Sequence, residues 1–131
     1  MPLIEWDSDR FSVKNEKMDD QHKRWIEIIN SLHESLMKSS GMETLEKVFQ
    51  DVLDYTAFHF YEEEKLLEEM NYPHLYDHKV IHENFKEKME KLKDEFMSGG
   101  IILRTEIMSI LKNWLEDHII KEDKRYSIAQ M

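Results

Sequence analysis

The sequence predicts an all-α protein: an antiparallel up-down-up-down four-helix bundle with an irregular N-terminal arm. Helix-breaking residues are scarce, and after Pro2 they occur only at Gly41, Pro73 and the pair Gly99-Gly100. The segments between these breaks repeat apolar residues at helical spacing. Because the connections between the four segments are short, neighbouring helices are expected to run antiparallel. The 131 residues are most simply one domain, 1–131.

The arm and the first helix come first along the chain. The arm covers residues 1–18 and carries three apolar side chains that can pack on the helices: Trp6, Phe11 and Val13. We expect the first helix at about 19–39, with Asp19 or Asp20 as its N-cap. His22 extends the apolar stripe of this helix toward its start, and the stripe continues through Trp25, Ile28, Ile29, Leu32 and Leu36.

The remaining three helices are predicted at about 43–70, 74–97 and 103–121. The turn between the first two of these is Asn71-Tyr72-Pro73. Each helix has an amphipathic stripe, and each stripe includes polar side chains of metal-ligand type at core-facing positions. These side chains are His59 and Glu63, His78 and His82, and His118.

Composition excludes several classes of protein. Eighteen basic and twenty-eight acidic residues give a net charge of −10, which argues against binding to nucleic acid or to anionic membrane surfaces. The absence of cysteine excludes disulfides, zinc–thiolate sites and iron–sulfur clusters. No signal peptide and no apolar run of roughly 20 residues is present, so we expect a cytoplasmic protein without a membrane span. With no evident apolar surface patch, we expect a monomer.

The ligand-type side chains are predicted to converge at one end of the bundle. His59 and Glu63 are four residues apart, as are His78 and His82, so each pair shares one helix face. A hairpin folded near residues 70–71 brings the two pairs level. His22 near the start of the first helix and His118 near the end of the fourth fall at this same end, with Asp123 just beyond; all seven are expected within roughly 15 Å of it.

A single histidine on an apolar stripe is more often a hydrogen-bonded core residue than a ligand. Here every helix contributes ligand-type side chains at the same level along the bundle. Burying seven such groups without a cation would leave polar atoms and charges unsatisfied. His33 lies about 16 Å further along the first helix, and we interpret it as a buried or boundary residue. His74, at the turn, is expected to be solvated, and of the acidic run 62–64 only Glu63 has the inward phase.

One spacing conflicts with a straight α-helix. His118 and Asp123 are five residues apart, which is about 140° around an ideal helix. We therefore predict that the fourth helix bends, ends or widens into a π-like turn there. A regular α-helix with Asp123 facing solvent would contradict a ligand role for this residue.

The donor set indicates which metals fit. Seven ligands are too many for one tetrahedral zinc, and five imidazoles suit iron or copper better than calcium or magnesium. Two carboxylates suggest bridges between two ions. The Glu-x-x-His pattern of di-iron oxidases is missing, and the histidine-rich site favours reversible dioxygen binding over O–O cleavage.

Four segments in this order make the chain resemble the hemerythrins, in particular the single-domain bacteriohemerythrins. They are Asp19-Asp20-Gln21-His22, His59-Phe60-Tyr61-Glu62-Glu63, His78-x-x-x-His82 and Trp114-Leu115-x-x-His118-Ile119-x-x-x-Asp123-x-x-Tyr126. Together they span nearly the whole chain, and no ligand position is missing. The five-residue spacing before Asp123 is itself part of the family pattern.

The resemblance implies a di-iron centre with an oxo or hydroxo bridge. One iron would be held by His78, His82 and His118, the other by His22 and His59, and both would be bridged by Glu63 and Asp123. It also implies that dioxygen binds at the iron with two histidines, in a dry pocket. Our candidates for the pocket lining are Phe60, Trp114 and Leu115, and Tyr126 is a candidate hydrogen-bond partner near Asp123.

Three functions remain open at this point. The leading hypothesis is an oxygen carrier or store rather than an enzyme. The second is a sensor of oxygen, redox state or iron. The third is a di-iron enzyme that consumes peroxide or nitric oxide, although no nucleophile–base arrangement in the sequence supports it.

Overall fold

Four long helices form the body of the protein. The computed structural model describes residues 3–38, 41–99 and 104–126, and these ranges contain no strand. The elements are α1 (Ser8–Phe11), α2 (Glu16–Met37), α3 (Met42–Glu69), α4 (Leu75–Met97), α5 (Arg104–Asp117) and a π-helical segment (His118–Asp123). The predicted antiparallel four-helix bundle is confirmed. The predicted helix limits at residues 39 and 103, and the break at Gly100, lie outside the described residues.

Helix α2 begins earlier than the sequence predicts. Its N-cap is Asn15, whose side chain accepts a hydrogen bond from the backbone N–H of Met18, so Asp19 and Asp20 lie inside the helix. The Asp19 carboxylate is instead used by the arm. It accepts hydrogen bonds from the Ser12 hydroxyl at 2.6 Å and from the backbone N–H of Val13 at 2.8 Å.

The arm is more ordered than an irregular segment, because it contains the single turn α1. Phe11 and Val13 are fully buried against the bundle, as the sequence predicts. Asn30 of α2 fastens the start of the arm through two hydrogen bonds. Its side chain accepts from the backbone N–H of Ile4 at 3.0 Å and donates to the carbonyl of the same residue at 2.8 Å.

The α3–α4 turn sets how the two helices face each other. Asn71 adopts a left-handed conformation with φ of 53°, which asparagine tolerates better than most residues. The N–H of Asn71 bonds to the carbonyl of Glu68, and that of Tyr72 bonds to the carbonyl of Leu67, so α3 ends in a Schellman motif. Pro73 then prevents the helix from continuing.

Two apolar clusters lie on either side of the polar end of the bundle. The larger contains Trp25, Phe60 and Phe85 and fills the length of the bundle. The smaller consists of Val13, Met18, Leu67, Tyr72 and Tyr126. No helix in the described ranges combines the length and the hydropathy that crossing a membrane requires.

Candidate metal centre

All seven predicted ligand-type side chains meet in one buried cluster between the two apolar clusters. Helix α2 supplies one of them, α3 and α4 supply two each, and the π-helical segment supplies two. Each is at most 4% exposed: His22, His59, Glu63, His78, His82, His118 and Asp123. The convergence inferred from helical spacing is therefore present in the folded chain.

Three imidazoles surround one side of the two carboxylates, and we call this side the three-histidine half. The Nε2 atoms of His78 and His82 lie 2.8 and 3.0 Å from Glu63 Oε1. His118 Nε2 lies 3.1 Å from Asp123 Oδ1 and 3.2 Å from His82 Nε2. The ligand atoms of these five residues all lie within 4.8 Å of one another, which is the spacing of donors around one ion.

Two imidazoles face the other side of the same carboxylates and form the two-histidine half. His22 Nε2 lies 3.1 Å from Asp123 Oδ2 and 3.5 Å from Glu63 Oε2. His59 Nε2 lies 3.4 Å from Glu63 Oε2. These four residues also bring one ligand atom each within 4.8 Å of the others. Glu63 and Asp123 thus present one oxygen to each half, as a bridging carboxylate does.

The π-helical segment explains how both of its polar residues face inward. In a π-helix the i→i+5 hydrogen bond replaces i→i+4, so residues five apart lie on one face. His118 and Asp123 bound this segment and are both buried, and His118 Nε2 lies 3.1 Å from Asp123 Oδ1. Of the three alternatives predicted from the five-residue spacing, a bend, an end or a π-like turn, the structure shows the π-like turn.

Several polar atoms of the cluster make no hydrogen bond of good geometry within the described part of the chain, although some of them lie 3.1–3.5 Å from a group of opposite charge. They are both ring nitrogens of His22, Nε2 of His59, Nδ1 of His118 and both oxygens of Asp123. Leaving such groups buried without a partner costs free energy, most of all for a carboxylate. Cations placed in the two halves would satisfy four of these six atoms directly. Imidazole and carboxylate together suit a transition metal such as iron.

Without a cation, protons balance the two carboxylates. Burial lowers the pKa of His22 and of His78, but their contacts with Asp123 and Glu63 outweigh it and raise both pKa values to about 9. For His118, burial is likewise outweighed by the charge and contact of Asp123, and the pKa rises to about 10. These shifts favour protonated imidazoles at neutral pH when no cation is bound, and a metal would have to displace those protons in order to bind.

The other ionisable groups of the cluster shift in ways that fit this balance. Burial lowers the pKa of His59 despite its contact with Glu63. Burial raises the carboxyl pKa values, yet the surrounding imidazoles outweigh it and hold those of Glu63 and Asp123 below their usual range. Burial and the two carboxylates raise the pKa of Tyr126 well above 10, so its hydroxyl remains a donor.

Two residues behind the ligands were missed from the sequence. The Nδ1 atom of His59 lies 2.7 Å from the amide oxygen of Gln21, and Nδ1 of His82 lies 2.8 Å from a carboxylate oxygen of Glu64. The outward helical phase of Glu64 predicts a solvated side chain, but that side chain is only 25% exposed. Helical phase points it away from the core, and only the packing of α4 beside α3 brings His82 to it.

Tyr126 is fully buried, and its hydroxyl donates to Glu63 Oε2 at 3.2 Å. The sequence predicts a hydrogen bond of this hydroxyl near Asp123. It instead supports the neighbouring carboxylate, because Tyr126 follows the π-helical segment and reaches the bridge from the side of the smaller apolar cluster.

The three candidate pocket-lining residues differ in position. Phe60 is buried and stacks on the His82 ring, with centroids 3.7 Å apart and planes 3° apart. Leu115 is also fully buried in the larger cluster. Trp114 is only partly buried. It lines a groove of about 300 Å³ between α4 on one side and α5 with the π-helical segment on the other, together with Phe85 and His118.

The two histidines set aside from the site lie outside it. His33 is partly buried on α2, beyond the cluster, and borders a surface groove. The His74 side chain is 51% exposed and lies 3.9 Å from the carboxylate of Asp77. Neither contributes to the two groups of ligand atoms.

The fold and the site together define a class of protein, a helical bundle that holds a non-haem metal centre between histidine and carboxylate ligands. The chain belongs to the hemerythrin family: the model of the hemerythrin HHE cation binding domain matches residues 13–127.

Curated relatives agree with this assignment. Bacteriohemerythrin of Stenotrophomonas maltophilia is 35% identical over 127 residues, which cover 97% of this chain and 81% of that protein. Bacteriohemerythrin of Methylococcus capsulatus is 28% identical over 96% of this chain and 95% of its own length. Myohemerythrin of Theromyzon tessulatum is 31% identical over 93% of this chain and 89% of its own length.

Solved structures agree as well. The crystal structure of a wild-type hemerythrin superposes with a TM-score of 0.86 at 27% identity, covering 96% of both chains. A hemerythrin point mutant gives a TM-score of 0.87 at 26% identity, covering 98% of this chain and 97% of the other.

Proposed function

We propose that this protein binds dioxygen reversibly at a di-iron centre and serves as an oxygen carrier or store. In this proposal the three-histidine half holds one iron and the two-histidine half holds the other. Glu63 and Asp123 bridge the pair. The family's cation-binding character and the donor chemistry of the cluster both support the assignment.

The observation that carries the proposal is the unequal sharing of ligands around a common carboxylate bridge. Each half receives one oxygen from Glu63 and one from Asp123, but one half has three imidazoles and the other has two. An ion in the two-histidine half therefore has one protein ligand fewer. That half is where an external diatomic ligand has room to bind.

Iron would supply the chemistry: two ferrous ions can each give one electron to a bound dioxygen and recover it on release. The protein's own residues keep water from the centre. Trp25 is fully buried, and its ring centroid lies 5.2 Å from that of His59 and 6.2 Å from that of His118. Phe60 covers one face of His82. Excluding water in this way protects a bound oxygen ligand from protons.

Trp25 is itself held in place by a buried hydrogen bond. Its Nε1–H donates to the Thr56 hydroxyl at 3.0 Å, and this hydroxyl donates to the Val52 carbonyl at 2.7 Å. The indole is therefore satisfied without water. This role accounts for the hydroxyl residue Thr56 among the buried, mostly apolar side chains of α3.

The test is optical. Metal-free protein is loaded with ferrous iron without air, exposed to oxygen and then purged over several cycles. We expect a visible charge-transfer band that appears and disappears with oxygen. A single irreversible oxidation would overturn the carrier proposal in favour of a sensor or an oxidase, and sustained consumption of peroxide or nitric oxide well above autoxidation would favour an enzyme.

Matched histidine variants separate the site from the rest of the chain. His59→Gln removes one ligand from the two-histidine half, and we expect it to abolish the reversible band. His33→Gln alters a histidine on α2 outside the cluster, and we expect it to cycle as the unmodified protein does. Equal behaviour of the two variants would contradict the assignment of the oxygen-binding half.

A further inference from the structure

The two halves of the centre differ in the residue that lies behind them as well as in their number of imidazoles. In the three-histidine half, Nδ1 of His82 bonds to a carboxylate, Glu64 Oε2, at 2.8 Å. In the two-histidine half, Nδ1 of His59 bonds to a neutral amide oxygen, Gln21 Oε1, at 2.7 Å. One outer partner is charged and the other is not.

Both partners act on the same atom in the same way. A carboxylate oxygen and an amide oxygen are acceptors, so each requires the imidazole Nδ1 to carry the proton. The Nε2 lone pair of the same ring is then directed at the centre. Gln21 is held in position through its own backbone, because its carbonyl accepts a hydrogen bond from the Tyr55 hydroxyl at 3.0 Å.

The charge of the partner makes the two imidazoles unequal ligands. A hydrogen bond to an ionised acceptor is roughly twice as strong as one to a neutral acceptor, and it pushes electron density onto the ring. Such outer partners raise ligand basicity, and losing one typically weakens metal binding about 10- to 100-fold. The charge behind His82 therefore strengthens the half that already has the extra imidazole. Each half also contains one imidazole whose Nδ1 has no hydrogen-bond partner in the described chain, His118 in the first half and His22 in the second, so the contrast lies in the partners of His82 and His59.

We propose that Glu64 and Gln21 set an order of metal loading, in which the three-histidine half takes the first ion and the two-histidine half takes the second. This inference rests on the dinuclear centre of the proposed function. In consequence, the position assigned to the external ligand is completed last and releases its ion first. Glu64 and Gln21 are positioning residues, since both act through an imidazole.

The order is measured with Co²⁺ alone, titrated without air into metal-free protein and followed by its visible absorption. We expect two steps of one equivalent each, with the first at least about tenfold tighter. Glu64→Gln is expected to weaken the first step about 10- to 100-fold and to change the second far less. Glu68→Gln removes the same charge one turn along α3, from an exposed side chain, and is expected to leave both steps unchanged.

The reciprocal change is Gln21→Glu, which places a carboxylate behind His59. We expect it to tighten the second step by a similar factor, and the double exchange with Glu64→Gln to narrow or reverse the gap between the steps. Crystals with one equivalent of Co²⁺ then locate the first ion by anomalous scattering. We expect the peak in the three-histidine half of the unmodified protein.

Three results would overturn the inference. They are a first ion in the two-histidine half or divided evenly, equal effects of Glu64→Gln and Glu68→Gln, and no tightening by Gln21→Glu. Each leaves the proposed function intact, because two ions still bind. Failure of the protein to take up either Co²⁺ or Fe²⁺ in the cluster would overturn both.

Discussion

Removing the Tyr126 hydroxyl tests how the bridge is supported. This hydroxyl lies 3.2 Å from Glu63 Oε2, and both side chains are fully buried. The other groups near Oε2 are His59 Nε2 at 3.4 Å and His22 Nε2 at 3.5 Å. The tyrosine is therefore the shortest contact of this oxygen, and a hydrogen bond to a charged group contributes about 1.5–3 kcal/mol.

We expect Tyr126→Phe to lower the free energy of unfolding of the metal-free protein by about 2 kcal/mol. In urea denaturation this is a fall of about 1 M in the midpoint, for an m value of about 2 kcal/mol per M. In the metal-loaded protein the proposed site would give Oε2 a cation as a second partner, so we expect the loss to be less than about 1 kcal/mol, since the oxygen would keep a strong partner.

Tyr72→Phe is the matched control. Tyr72 lies in the same small apolar cluster, is 6% exposed, and makes no side-chain hydrogen bond within the described residues. We expect its loss to change the midpoint by no more than a surface substitution does, within about 0.5 kcal/mol. Equal effects of the two variants, or a Tyr126→Phe effect that metal does not reduce, would refute the reasoning.

Three further predictions concern the site and the arm. The pKa values of His22 and His78 near 9 and of His118 near 10 exceed the unfolded value of about 6.5. The protonated imidazoles therefore stabilise the folded, metal-free protein fully below pH 6.5, and this contribution to the free energy of unfolding is lost as pH rises through 9–10. Urea midpoints in chelator should fall across that window, and a rise would contradict these shifts. Phe60→Ala should lower the free energy of unfolding by about 3–5 kcal/mol. It should also speed the autoxidation of iron-loaded protein, measured optically, and an unchanged rate would show that Phe60 does not keep water from the centre. Asn30→Ala should lower the free energy of unfolding by about 1–3 kcal/mol and make the arm more sensitive to limited proteolysis. An arm as resistant as in the unmodified protein would show that the buried Phe11 suffices to hold it.

The part of the site that faces the core was predictable from the sequence. His59 and Glu63 repeat at helical spacing within an apolar stripe, and a polar side chain at such a position needs a partner. The five-residue spacing from His118 to Asp123 exceeds one α-helical turn, so the backbone had to change where both side chains face inward. Both inferences rest on helix geometry, which is local and nearly invariant.

The parts that were missed depend on contacts between helices. Asp19 is a good N-cap by residue type, but Asn15 has that role because the arm recruits the Asp19 carboxylate. Glu64 faces away from the core by its position around α3. Nothing in the sequence indicates that α4 brings the His82 ring beside it. Gln21 adjoins His22 in the sequence yet supports a histidine of another helix. A polar residue beside a ligand is the only signal that could have indicated these partners.

The central claim is that seven side chains hold two metal ions across a shared pair of carboxylates. An anomalous difference map at the iron edge, from crystals of anaerobically iron-loaded protein, tests it most directly. We predict two peaks on either side of Glu63 and Asp123, one beside three imidazoles and the other beside two. A single peak, or a cluster without iron after loading, would contradict the account.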